Sequence, residues 1–98
     1  MQSILFSRND NILVHFMSLS TIKVEKMYNE YTTHAVPIYC VIGYYNYGKC
    51  HTIELKRFET EHKASLFLNE LVNQLSITDE TKNIFIDLDL ITEKVLNE

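Results

Sequence analysis

Four histidines, two cysteines, a close pair of aspartates and six tyrosines are the residues of this chain whose chemistry is worth testing first. A catalytic imidazole needs a nucleophile or a metal at a set spacing, and neither G-x-S-x-G nor H-E-x-x-H occurs. His15 and His51 fall in strand-like runs, His34 in an aperiodic stretch and His62 at the start of a helical pattern, so they read as polar-face residues. Asp87 and Asp89, on a strand, would share a face about 7 Å apart. Calcium needs six to eight oxygens, and no Asp/Gly-rich loop supplies the rest. Cys40 and Cys50 sit on the two arms of a hairpin that turns at Asn46-Tyr47-Gly48. Cys40 then lies opposite Glu54 or Leu55, leaving the sulfurs roughly 15 Å apart, where a disulfide needs Cα atoms within about 7 Å. They read as free thiols of a reducing compartment. Cys50-His51 offers two neighbouring zinc ligands, but strand neighbours face opposite ways. With Gly43 and Gly48 the only glycines, no phosphate cradle is present. No catalytic residue, metal or cofactor is expected.

The tyrosines are the stronger signal. Tyr28, Tyr31, Tyr39, Tyr44, Tyr45 and Tyr47 lie in one 20-residue window. Aromatic strand residues can stack unpaired bases, but sheets that do so interleave basic residues, and here only Lys49 is close. Nine Lys+Arg against thirteen Asp+Glu give a net charge of −4, which argues against a binder driven by phosphate contacts. Tyrosine also offers contact area at low entropy cost with a polar tip, which suits a protein surface.

These residues are positioned by alternating segments. Ile4-Leu5-Phe6, the turn formers Arg8-Asn9-Asp10-Asn11, and Ile12 to Met17 predict a hairpin. Ile22 and Val24 alternate with Thr21, Lys23 and Glu25, a strand with one wet face. Asn29 to His34 reads as a loop. In Val36 to Tyr45 one face is Ile38, Cys40, Ile42 and Tyr44 and the other is Tyr39, Val41, Gly43 and Tyr45. Two apolar faces predict a central strand, or one covered on both sides. His51, Ile53 and Leu55 alternate with Thr52, Glu54 and Lys56 in a strand ending at Phe58.

Ala64, Phe67, Leu68, Leu71, Val72 and Leu75 form a helical stripe, with Thr60 as N-cap, Glu61 in the first turn and Leu66 on the far side. The tail carries two patterns. Ile84, Ile86, Leu88 and Leu90 alternate, predicting a strand over 84–90 and a short helix over 91–97. Ile84, Leu88, Ile91 and Val95 also fit a heptad, which would make the tail a dimer element.

The run Tyr39-Cys-Val-Ile-Gly-Tyr, then Gly48, Ile53-Glu-Leu-Lys-Arg-Phe58, Glu59-Thr-Glu-His-Lys-Ala64 and the leucines 68, 71 and 75 resembles small proteins of low-GC Gram-positive bacteria and their phages. The resemblance covers roughly residues 2–75 and implies a strand meander plus helix similar to a pleckstrin-homology-like half barrel. It transfers no catalytic residue and implies a binding role.

Together these readings predict one domain over 1–98, with sheet plus helix in 1–75 and a tail in 76–98. The fold class is antiparallel α+β: four to six strands in one strongly curved sheet around the 60–75 helix. Its core is expected to include Ile22, Val24, Ile53, Leu55, Phe67, Leu68, Leu71 and Leu75. The start of the chain lacks a basic segment before its apolar run, and Ala35 to Tyr45 is too short for the ~20 residues of a bilayer span. A cytoplasmic protein with no membrane contact follows. The expected role is a non-enzymatic protein-interaction or regulatory module that forms a homodimer. Its interface is expected at Tyr39, Val41, Tyr45 and Tyr47 or at Ile84, Leu88, Ile91 and Val95. Two other roles fit the composition: a small acidic inhibitor or immunity protein of a host or rival enzyme, and a single-strand nucleic-acid binder using Tyr39, Tyr45 and Tyr47.

Overall fold

In a computed structural model the residues 3–28, 36–47, 51–76 and 84–98 are described. The expected loop from Asn29 to His34, with His34 and Tyr31, lies outside these residues, as do Gly48, Lys49 and Cys50. The order is β1 (Ser3–Ser7), β2 (Ile12–His15), a one-turn 3₁₀ helix (Phe16–Ser18), β3 (Leu19–Tyr28), β4 (Pro37–Tyr45), β5 (Thr52–Phe58), α1 (Glu61–Ser76), β6 (Ile84–Asp87) and α2 (Leu88–Leu96).

The fold is α+β, but its strands form two sheets rather than one. One is antiparallel, β3-β4-β5; the other is mixed, ordered β2-β1-β6, and neither closes into a barrel. In the mixed sheet β1 runs antiparallel to β2 and parallel to β6. The β1–β2 turn is made by Arg8-Asn9-Asp10-Asn11, and Asn11 takes a φ of 55°, a left-handed conformation that asparagine tolerates. Strand β2 stops at His15, two residues before the expected end, because the chain must change sheets through the 3₁₀ turn.

Strand β4 is central in its sheet, as two apolar faces require. Its inner face carries Val41 with half-buried Tyr39 and Tyr45, opposite Val24, Ile22 and Leu19 of β3. Its outer face carries Cys40 and Ile42, 0% and 7% exposed. Their cross-strand neighbours are Glu25 and Arg57, and Lys23 and Glu54. Arg57 holds Glu54 through two hydrogen bonds of 2.6 and 3.0 Å, so the side-chain stems of charged residues roof these two apolar groups.

A bulge in β5 corrects the expected alternation. Ile42 pairs with Glu54 and Val41 with Lys56, leaving Leu55 as the extra residue. Cys40 therefore faces Arg57, not Glu54 or Leu55. Beyond the bulge the phase flips, which puts Phe58 in the core and turns Lys56 inward, away from the water face expected for it. The same flip places Glu54 and Arg57, three apart, on one face.

Helix α1 begins as expected: Thr60 Oγ1 accepts the Lys63 N–H at 3.2 Å. Ala64, Phe67 and Leu71 are buried, and Leu68 and Leu75 pack half-buried beside them. Val72, expected on the stripe, is exposed, and Leu66, expected outside it, packs on the core. The reason is α2, which lies along a second face of α1. Lys63 Nζ donates to the Val95 and Glu98 carbonyls, both at 2.8 Å, and Lys94 pairs with Glu70 at 3.1 Å. Leu66 sits between Lys63 and Glu70 on that face.

The tail is half strand and half helix, with an earlier switch than expected. Asp87 is the N-cap of α2, its Oδ1 accepting the Asp89 N–H at 2.9 Å. Leu88 thus belongs to the helix, and Leu90 points outward instead of continuing the strand face. Leu5, Val14 and Ile86 of the mixed sheet, Val41, Leu55 and Phe58 of the other, and residues of both helices meet in one core.

Candidate functional site

Two groupings stand out: a polar seam between the sheets, and an uncovered apolar sheet face. The seam gathers Ser7 at the end of β1, Asp10 in the following turn, Lys56 beside the β5 bulge and Asp89 in the first turn of α2. Lys56 Nζ lies 2.6 Å from Asp89 Oδ1, 2.7 Å from Asp10 Oδ2 and 3.3 Å from Ser7 Oγ. Ser7 Oγ–H donates to Asp89 Oδ1 at 2.7 Å. The backbone N–H groups of Arg8 and Asn9 donate to Asp89 Oδ2 at 3.0 and 3.2 Å, and Asp10 N–H donates to Ser7 Oγ at 3.1 Å. One carboxylate thus satisfies four donors on two sheets.

The electrostatics follow from this geometry. Burial on its own would raise Asp89, but the hydrogen bonds from Lys56, Ser7 and Asn9 outweigh it and lower its pKa to about 2. Burial on its own would lower Lys56, but Asp10 and Asp89 outweigh it and raise the ammonium above its usual value. A serine–lysine catalytic pair needs a neutral amine and an accessible hydroxyl. Here the lysine is held protonated, Ser7 is buried, and its proton is committed to Asp89. The cluster is a structural clamp: it ties the β1–β2 turn, β5 and α2 together. Elsewhere, burial pushes the Cys40 thiol up, away from the reactive thiolate.

The second grouping lies on the side of the mixed sheet that faces away from the core. Alternation sends Leu5, Val14 and Ile86 inward and Ile4, Phe6, Leu13, His15 and Phe85 outward. Phe6 stands opposite Leu13 on β2 and meets the Phe85 ring edge-on, with centroids 6.5 Å apart. Leu13 and Phe85 are 68% and 62% exposed. Four of these five residues are apolar, and the fifth is His15.

The residues expected to form an interface are placed differently. Val41, Leu88, Ile91 and Val95 are no more than 2% exposed and lie in the core of the chain itself. Tyr39, Tyr45 and Ile84 pack half-buried against that core. Tyr47 is exposed at the hairpin end, between Tyr45 (centroids 5.4 Å) and His51 (6.0 Å). The tyrosines do not form one platform. Tyr44 lies on the outer face of β4, where its hydroxyl hydrogen-bonds Glu25; Tyr39 and Tyr45 are on the inner face; Tyr28 is at the end of β3 beside Lys26.

Sequence reasoning missed Leu13 and Phe85 as surface residues, and the Ser7–Lys56–Asp89 clamp. Two signals were present. Leu13 and His15 alternate against Val14, so one had to face out. Asp87 precedes Leu88, Ile91 and Val95, an N-cap followed by apolar residues at helical spacing.

No helix among the described residues is long and apolar enough to cross a membrane, and no group of three or more His, Cys, Asp or Glu among them could hold a metal ion. No protein-family model, no curated protein and no solved structure matches this chain.

Proposed function

We propose that this chain is a non-enzymatic protein-interaction module that self-associates and also engages a partner through the outer face of the β2-β1-β6 sheet. The observation that carries the partner surface is the exposure of Leu13 and Phe85 around the Phe6 ring. Contiguous apolar surface of this kind is what interfaces use and what soluble monomers keep small. The buried thiol of Cys40 suits a reducing, cytoplasmic setting. The resemblance to small phage and low-GC Gram-positive proteins with a pleckstrin-homology-like meander supports binding over catalysis.

The test compares proteins captured from the source cell by the wild type and by a Leu13→Ser/Phe85→Ser variant. A partner retained by the first and lost by the second, with both chains folded, supports the reading. Identical capture by the two chains overturns it.

A further inference from the structure

The edge of the other sheet carries a more specific message. Strand β3 is ten residues long and terminal in the sheet β3-β4-β5. Strands of five or six residues are usual, and a long open edge is a template for another strand. The backbone phase of this edge can be read from the hairpin end. Tyr45 donates its N–H to His51 O on the β5 side at 3.1 Å, whereas Asn46 donates to Ser18 O on the β3 side at 2.9 Å. Odd-numbered residues of β4 thus hydrogen-bond toward β5 and even-numbered ones toward β3. The β3 partners of the even residues are Thr21, Lys23, Glu25 and Met27. Those four turn their backbone groups to β4, and Ile22, Val24, Lys26 and Tyr28 turn theirs to the edge, where no other strand among the described residues pairs with β3.

We propose that two copies of this chain meet at that edge, antiparallel, with the two-fold axis at Val24. In this register Val24 faces Val24 of the second copy, and Ile22 faces Lys26; all three are residues whose N–H and C=O groups point outward. Between them fall the non-hydrogen-bonded positions, where side chains come closest, about 4.5–5.5 Å between Cβ atoms. These positions place Lys23 opposite Glu25, and Glu25 opposite Lys23, on the outer face. In each single chain Lys23 and Glu25 are 3.5 Å apart and partly exposed, and Tyr44 hydrogen-bonds Glu25, so the second copy adds its charges to a group already held on the outer face. The other two-fold registers centred between Ile22 and Lys26 are worse. An axis at Lys23, Glu25 or Lys26 sets like charges directly opposite each other, and an axis at Ile22 gives up both charge pairs. Charge complementarity therefore points to a second copy as the occupant, and among these registers it favours the one at Val24. Helix α1 packs across β3, β4 and β5 on the inner face, and the charged pairs lie on the outer face, so the helix does not occupy their side of the sheet. The product is a continuous six-stranded sheet, β5-β4-β3 joined to its own image.

This inference rests on the self-association in the proposed function and names its surface. Light scattering of the full chain is expected to give twice the 11.5 kDa of one copy. Lys23→Glu alone and Glu25→Lys alone each create two like-charge pairs, and each is expected to bring the mass down to 11.5 kDa with unchanged far-UV circular dichroism. An equimolar mixture of the two single variants restores opposite charges across the edge and is expected to return the doubled mass. The double variant Lys23→Glu/Glu25→Lys is expected to do the same by itself, which keeps the test valid if one single variant folds poorly. A dimer indifferent to these changes but dissociated by Leu13→Ser/Phe85→Ser overturns the edge and upholds self-association. A wild-type mass of 11.5 kDa overturns both, and leaves partner capture by the open sheet face to be judged on its own test.

Discussion

The two sheets solve the same problem in different ways. The β3-β4-β5 sheet covers both of its faces: α1 lies on the inner one, and Glu25, Lys23, Glu54 and Arg57 roof Cys40 and Ile42 on the outer one. The β2-β1-β6 sheet covers only the face that meets the core and leaves Leu13 and Phe85 in water. The difference comes from what stands beside each apolar residue. On β4 the outward Cys40 and Ile42 each have long charged neighbours on both adjacent strands. On β1 the outward Phe6 has Leu13 and Phe85 beside it, so apolar residues flank apolar ones. The apolar patch of Phe6, Leu13 and Phe85 is surface the fold itself does not use.

The sharpest break in the comparison is to remove half of one sheet's support. Deleting 84–98 takes Ile86, Leu88, Ile91 and Val95 from the shared core and strips β1 of its parallel neighbour. The cooperative thermal transition is expected to disappear, and a sharp melt in the truncated chain would show that the β3-β4-β5 sheet with α1 folds alone. Next in size is the packing of α1. Phe67→Ala and Leu71→Ala, both at fully buried sites, should each cost about 2–5 kcal/mol in denaturant unfolding. Leu68→Ala should cost less, since Leu68 is only half-buried.

The seam between the sheets comes third. Asp89→Asn leaves Lys56 with the more exposed Asp10 as its remaining carboxylate partner and should cost about 2–3 kcal/mol. It also gives a pH signature. The folded chain holds the Asp89 pKa at about 2 against an ordinary 3.8. Its contribution is fully present above the ordinary value and is lost as pH falls from there toward about 2. Urea midpoints measured across that window should fall more steeply for the wild type than for Asp89→Asn.

The smallest effects separate the outer faces directly. Leu13→Ser and Phe85→Ser should move stability by under about 1 kcal/mol, because both side chains are mostly in water already. Ile42→Ser, on the roofed face, should cost several times as much. Arg57→Ala should change stability by about 1 kcal/mol or less, yet raise the rate of Cys40 labelling by a thiol reagent by removing its cross-strand cover.

Much of the β3-β4-β5 sheet and α1 was legible because local patterns specify them. Two-residue alternation marked β3 and β4, and Thr60 with the 64–67–71 spacing marked the helix. The β5 bulge was not legible: one extra residue moved Lys56 from the water face to the seam, and only cross-strand pairing shows where a phase slips. Nor was the candidate site. Tyr39 and Val41 looked like surface because the segment had more apolar residues than one face could use, but α1 and the core took that surplus.

By itself, the sequence determined most of the elements: the strands of the first half to within a few residues, where α1 starts, and that β4 has two apolar faces. Those properties depend on residues two to four apart, where backbone geometry and side-chain period act directly. Only the tertiary structure decided that the strands split into two sheets, that β6 lies parallel to β1 some eighty residues away, and that Asp89 closes on Ser7 and Lys56. Such pairings hold because distant groups satisfy one another's hydrogen bonds and charges once the chain is folded, and no local period encodes them. The same closure decided which apolar residues went into the core and left Leu13 and Phe85 outside it.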